Sequence, residues 1–191
     1  MLLALAEVEY DNIRVPFDEW EKTYKPTMPF GMMPVLEVDG AKLPQTRAIL
    51  RYLAEEYGYR GSSPLERARV DAVMDLVADF DDAHTPWYMV HMGWEDGDKE
   101  KAYTDVYKPA LAKFLPMFSK MLTENTSGWL VGDNFTMADL FAATNLEFLE
   151  QVDPHSEHLY DGFPELKELK ERVFAIPAIA KHIATRPDDS R

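Results

Sequence analysis

The sequence contains no cysteine, which removes disulfides, thiolate zinc sites, Cys nucleophiles and CxxC redox chemistry together. Basic residues are few: 20 Lys and Arg stand against 34 Asp and Glu, a formal charge of −14. Nucleic acid and anionic membrane both need a basic face, so neither is expected as a partner. No stretch approaches the roughly 20 apolar residues that span a bilayer. The apolar start, Met1 to Glu7, carries no basic flank, so a cytoplasmic protein is the expectation. Repeats and low-complexity tracts are missing as well. The chain does have the material for a core. Its 191 residues are 46% hydrophobic and include four Trp, nine Tyr and ten Phe, enough for one large domain or two small ones.

Residues 1–7 read as the end of an amphipathic helix, since no capping residue precedes them. Tyr10 to Val15 is expected as a short strand, followed by an irregular connection to Pro29. Pro34-Val-Leu-Glu-Val-Asp-Gly40 and Ala41-Lys-Leu43 predict a hairpin turning at Asp39-Gly40, a pair that tolerates positive φ. Gln45 to Tyr57 has apolar residues at helical spacing and stops at Gly58. Residues 59–64 hold Gly, Ser and Pro and read as a linker between a unit over 1–58 and one over 65–191. Beyond it the pattern is helical: Leu65 to about Tyr88, Lys99 to Thr123, Thr136 to Val152, and Pro164 to Thr185 broken at Pro177. The expected fold is α+β, a small mixed unit followed by an all-helical one.

Several residues along this layout bear chemistry. Pro34 opens a strand; a cis bond there turns the Met33 backbone outward, where its N–H and C=O can pair with an extended peptide. A trans proline that merely starts the strand is the ordinary alternative. Thr46 is an N-cap residue type at the head of a helix whose free N–H groups favour a carboxylate, though a plain cap accounts for it equally. Trp20 and Lys25 offer further donors. Asp71, Asp75 and Asp79 lie at i, i+4 spacing, with Asp82 beyond; such a row invites a cation or forms a solvated face. Thr136-Met-Ala-Asp139 is a capping box, flanked by Phe135 and Leu140 as a hydrophobic staple. His155-x-x-His158 falls in a Pro-containing connection and reads as surface loop. Trp87, Tyr88, Trp94, Tyr103 and Tyr107 are candidates for an apolar pocket or for core.

Trp20, Lys25, Met33-Pro34-Val-Leu-Glu-Val-Asp-Gly40, Leu43-Pro44-Gln45-Thr46 with the helix to Leu53, and Leu130-Val-Gly-Asp133 running into Phe135-Thr136-Met-Ala-Asp139 together resemble the cytosolic glutathione S-transferases. The run over residues 34–53 is most similar to the sigma class, which contains prostaglandin D synthases and the lens S-crystallins. The resemblance implies a thioredoxin-like N-terminal domain, here without its first strand, and an all-helical C-terminal domain. It implies that Met33 and Pro34 dock the cysteinyl part of glutathione, that Gln45 and Thr46 hold the γ-glutamyl end, and that Trp20 and Lys25 reach the glycyl carboxylate. Thr46 stands where Ser is more usual, and Lys25 matches with one extra residue after Trp20. Asp79 is implied to serve the α-amino group across a homodimer. No metal is expected, because Ala78 stands where a metal-binding carboxylate occurs in some sigma enzymes.

The catalytic tyrosine of the resembled class lies on a strand upstream of the helix that Leu2–Glu7 finishes, so no catalytic residue is assigned in this sequence. Tyr10, which follows that helix, does not replace it. Two functions are therefore expected side by side. One is conjugation of glutathione to small hydrophobic electrophiles by thiolate attack, or a related isomerisation. The other is a catalytically impaired glutathione-binding or S-crystallin-like structural protein.

Overall fold

A computed structural model describes residues 1–186 and divides into two compact units, Met1–Arg60 with the last helix, and Gly61–Ile176. In the first unit, α1 (Leu2–Leu5) buries Leu2 and packs on α3 (Thr46–Tyr57) and on α9 (Pro177–Thr185). A short α2 (Phe17–Glu19) continues as one π-type turn over Trp20–Tyr24 and a 3-10 turn over Lys25–Thr27. Strands β1 (Val35–Val38) and β2 (Ala41–Pro44) then form an antiparallel hairpin, and α3 packs against both. The turn sits where the sequence places it. Asp39 and Gly40 have φ of 50° and 78°, the two positive values that match the right-handed twist of the strands. Gly58 ends α3 in the left-handed conformation, its N–H returning to Ala54 O.

The expected strand over Tyr10–Val15 does not form. A strand is held by ladder partners, and among the described residues the sheet consists of β1 and β2 alone. The segment stays irregular and largely exposed, with Ile13 at 77%.

The second unit is helical. Its first helix, α4 (Pro64–His91), starts on Ser63, whose Oγ accepts the Glu66 N–H at 3.2 Å, while Pro64 takes the first helical position that needs no donor. Val70, Val73, Met74, Val77, Phe80, His84 and Trp87 make its buried stripe. The helix expected over Lys99–Thr123 is instead α5 (Lys99–Ala102), a π-type turn over Tyr103–Tyr107, and α6 (Lys108–Glu124). The extra residue in that turn accompanies two buried aromatics, Tyr103 and Tyr107, at its ends. The core centres on α7 (Met137–Val152), packed against α4 and α8 (Pro164–Phe174).

The capping box is present. The Asp139 carboxylate, fully buried, accepts the Thr136 N–H at 2.7 Å, the Thr136 hydroxyl at 3.0 Å and the Leu130 N–H at 2.7 Å. This fastens the 130–136 loop to the head of α7, the role the sequence pattern assigns it.

His84 is also buried, its Nδ1–H donating to Phe80 O at 2.8 Å with the Phe80 ring edge-on at 5.0 Å. Burial lowers its pKa against the opposing pull of that carbonyl. The unfolded chain therefore takes up this proton first as pH falls through the ordinary histidine range near 6.5. Stability is expected to drop on acidification through that window. The check is urea unfolding at several pH values, in which His84→Gln flattens the slope whatever its effect on absolute stability.

Candidate functional site

The hairpin register brings several of the candidate residues to one place. Val35 pairs with Pro44, so the two strands leave the ladder together, one as Pro34 and Met33 and the other as Gln45 and Thr46. Residues directly opposite in an antiparallel pair have Cα atoms about 5 Å apart. The same end of the sheet thus presents four of the residues expected to bind ligand. The Met33–Pro34 bond is cis, and Met33 is exposed.

Gln45 has φ 76° and ψ 115°, a region that side chains rarely occupy and that costs on the order of 1–3 kcal/mol. It holds the N-cap position of α3 but makes no side-chain cap. Thr46 is the first helical residue rather than the cap, a one-residue correction to the expectation. Gln45 and Thr46 are both exposed. The opening N–H groups of a 12-residue helix are therefore left without a side-chain cap, and the helix dipole adds partial positive charge there. A carboxylate fits this arrangement.

The donors assigned to the other end of the ligand lie on the π and 3-10 turns. Trp20 is half-buried at the start of the first turn, and Lys25 follows it. Lys25 Nζ meets both Glu21 carboxylate oxygens at 2.9 Å, an exposed i,i+4 pair worth only a few tenths of a kcal/mol. An incoming carboxylate can compete for that ammonium at little cost. Lys42 was not singled out from sequence. Its Nζ donates to Thr27 O at 3.1 Å and ties β2 to the turn that carries Lys25. Alternation along β2 was the only signal for it, because an exposed lysine on a short strand carries no motif.

Asp79 belongs to the helical unit, exposed on α4. Among the described residues no group of three His, Asp or Glu side chains is placed to hold a metal ion. His158 instead has Nδ1 at 3.0 Å from Asp161 Oδ2 on the surface.

The aromatic candidates divide. Trp87, Tyr103 and Tyr107 are core: Trp87 stacks on Tyr107 with ring centroids 3.9 Å apart, and the Tyr103 hydroxyl donates to Asp153 Oδ1 at 3.2 Å. Burial, with Asp153 adding to it, pushes the Tyr103 phenol up to about 12. The same causes, burial first, raise Tyr107 as well. These phenols stay protonated and are not suited to trade a proton near neutrality. Trp94 stays exposed, with Tyr88 edge-on at 5.5 Å.

Residues 1–55 match the family model described as the glutathione S-transferase N-terminal domain, and residues 81–186 match the one for its C-terminal domain. The chain belongs to the glutathione S-transferase family. Glutathione S-transferase 1 of Ascaris suum is 39% identical over 182 residues, covering 95% of this chain and 86% of that protein. The crystal structure of a monomeric glutathione S-transferase from the hookworm Necator americanus superposes with a TM-score of 0.92 at 43% identity, over 100% of this chain and 91% of that one. A Nu-class transferase structure from Haemonchus contortus gives 0.88 at 43% identity, over 100% and 90%. The transferase fold accounts for the two units: a thioredoxin-like N-terminal domain, here with a two-stranded sheet, followed by a helical C-terminal domain.

Proposed function

We propose that this transferase-family chain binds glutathione at the open end of the β1–β2 hairpin and presents its sulfur to small hydrophobic electrophiles. The observation that carries this reading is the register: Val35 pairs with Pro44, so Met33 and Pro34 enter, and Gln45 and Thr46 leave, at the same end of the hairpin. In this arrangement the Met33 backbone pairs with the extended tripeptide, as a peptide adds to a sheet edge. The γ-glutamyl carboxylate takes the Thr46 hydroxyl and the uncapped N–H groups of α3, beside the Gln45 amide. The glycyl carboxylate takes Trp20 Nε1–H and Lys25 Nζ. Held so, the glutathione thiolate attacks the electrophilic carbon, a carbon–sulfur bond forms, and the leaving group departs with the bonding pair. The thiol proton goes to solvent. No residue of this sequence is assigned to thiolate activation.

A second reading is a catalytically impaired glutathione-binding or S-crystallin-like structural protein: Tyr10 is exposed outside any strand among the described residues, and no tyrosine is assigned to the thiolate. The sigma-class reading rests on the run over 34–53 alone. None of the three relatives above is described as sigma class, and one is described as Nu class. A homodimer in which Asp79 serves the partner's ligand is part of the proposal, although one relative is described as monomeric.

Conjugation of glutathione to a chromogenic aryl halide, alongside retention on immobilised glutathione, tests these readings. Retention with turnover well above the solution rate supports the enzyme, and retention without turnover supports the binding protein. Failure on both counts contradicts the proposal. Asp79→Asn is expected to weaken retention where the chain is dimeric; unchanged retention by a verified dimer removes Asp79 from the site.

A further inference from the structure

All sulfur in this protein is thioether, since it has ten methionines and no cysteine. Met74 and Met137 are fully buried. Met32 and Met33 stand side by side at 51% exposure each, immediately before the cis Pro34. Met92 and Met117 are also exposed, but they lie on the helical unit. Oxidation of methionine follows access, and it turns a flexible apolar side chain into a polar, chiral sulfoxide. At Met32 and Met33 that change falls on the segment whose backbone is assigned to the tripeptide.

We propose that Met32 and Met33 form a peroxide-sensitive modification site whose oxidation weakens glutathione binding. The step balances with one equivalent of hydroperoxide per residue. A thioether lone pair attacks the nearer peroxide oxygen, a sulfur–oxygen bond forms, the O–O bond breaks, and water or alcohol leaves with the proton. Sulfur is oxidised by two electrons and the peroxide is reduced by two. A methionine sulfoxide reductase reverses the step with a dithiol, which becomes a disulfide as the oxygen leaves as water. The binding consequence rests on the site reading given above. The chemistry places a peroxide-sensitive pair of thioethers on the proposed binding edge, in a protein with no thiol of its own.

The test is titration with glutathione before and after graded hydrogen peroxide, with sulfoxides located by peptide mass mapping. Wild type and Met92→Leu/Met117→Leu are expected to lose affinity about fivefold or more as Met32 and Met33 convert, because a polar oxygen now competes at the edge. Reductase treatment restores it. Met32→Leu/Met33→Leu, compared with its own untreated sample, keeps its affinity through the same exposure. An equal loss in that variant, or full conversion of both residues with affinity unchanged, overturns the proposal. Absence of binding in the untreated wild type instead overturns the site reading, and it appears before any peroxide is added. Mass mapping then decides the modification itself: sulfoxide at Met32 and Met33 ahead of Met74 and Met137 supports it, and a lag behind those buried residues overturns it.

Discussion

Replacing Asp139 with alanine is expected to lower the unfolding free energy by about 3 kcal/mol. Two opposing effects set the size. The carboxylate is fully buried, and burial pushes its pKa up to about 6 against the pull of its donors, so its ionised form is costly at neutral pH. Removing that charge returns part of the loss. Against this, the Leu130 and Thr136 N–H groups, each 2.7 Å from the carboxylate, are left buried without an acceptor, at about 1–3 kcal/mol apiece. A void beside the head of α7 adds to the cost. The orphaned donors outweigh the relieved charge. For a chain of this length the loss corresponds to a fall in melting temperature of about 6–12 °C. Calorimetry of Asp139→Ala checks it. Thr136→Ala is the informative comparison: it removes one hydroxyl but no backbone acceptor, and a smaller loss of about 1 kcal/mol is expected.

The pH dependence of this group has its own sign. A folded pKa above the unfolded value means that the native state holds the proton more tightly, so the carboxyl's contribution to stability declines as pH rises from about 4 to about 6. His84 acts in the opposite sense below its ordinary value near 6.5, because its lowered pKa makes stability rise with pH up to that value. Comparing Asp139→Ala with His84→Gln separates the two.

Thr46→Val is expected to reduce glutathione affinity about 30-fold, the value of one hydrogen bond to a charged acceptor near 2 kcal/mol. The substitution keeps the side-chain shape and removes the hydroxyl. Thr46 is exposed in the first turn of α3 and caps nothing, so the melting temperature is expected to hold. That split between affinity and stability distinguishes a binding role from a structural one. Thr46→Ser, which keeps the hydroxyl, is expected to restore the affinity. Equal losses in the serine and valine variants would place the effect in packing and not in the hydrogen bond.

Legibility in the sequence followed the range of the forces involved. The hairpin was readable because Asp39-Gly40 is local turn chemistry and the flanking β-branched and apolar residues need no distant partner to declare themselves. The capping box at Thr136–Asp139 was readable for the same reason, since its reciprocal bonds close within four residues. Tyr10–Val15 was misread because a strand depends on a neighbour, and local propensity does not supply one. The π-type turns at Trp20–Tyr24 and Tyr103–Tyr107 carry no composition signal, since one extra residue in a helix is decided by packing. The aromatics of α4 and of the second π-type turn showed the same limit. Periodicity marked them as apolar, but only the fold separates buried Trp87 from exposed Trp94. Among the candidate site residues, Met33, Pro34, Gln45 and Thr46 were legible as types. Their meeting at one end of the sheet follows from the register, and the positive φ of Gln45 has no sequence signature outside glycine.

Titration of glutathione into the wild-type chain by isothermal calorimetry tests the central claim most directly. One saturable site per chain, lost or strongly weakened in Thr46→Val at unchanged melting temperature, is the predicted result. No saturable heat from the wild type, or identical isotherms for wild type and Thr46→Val, would contradict it.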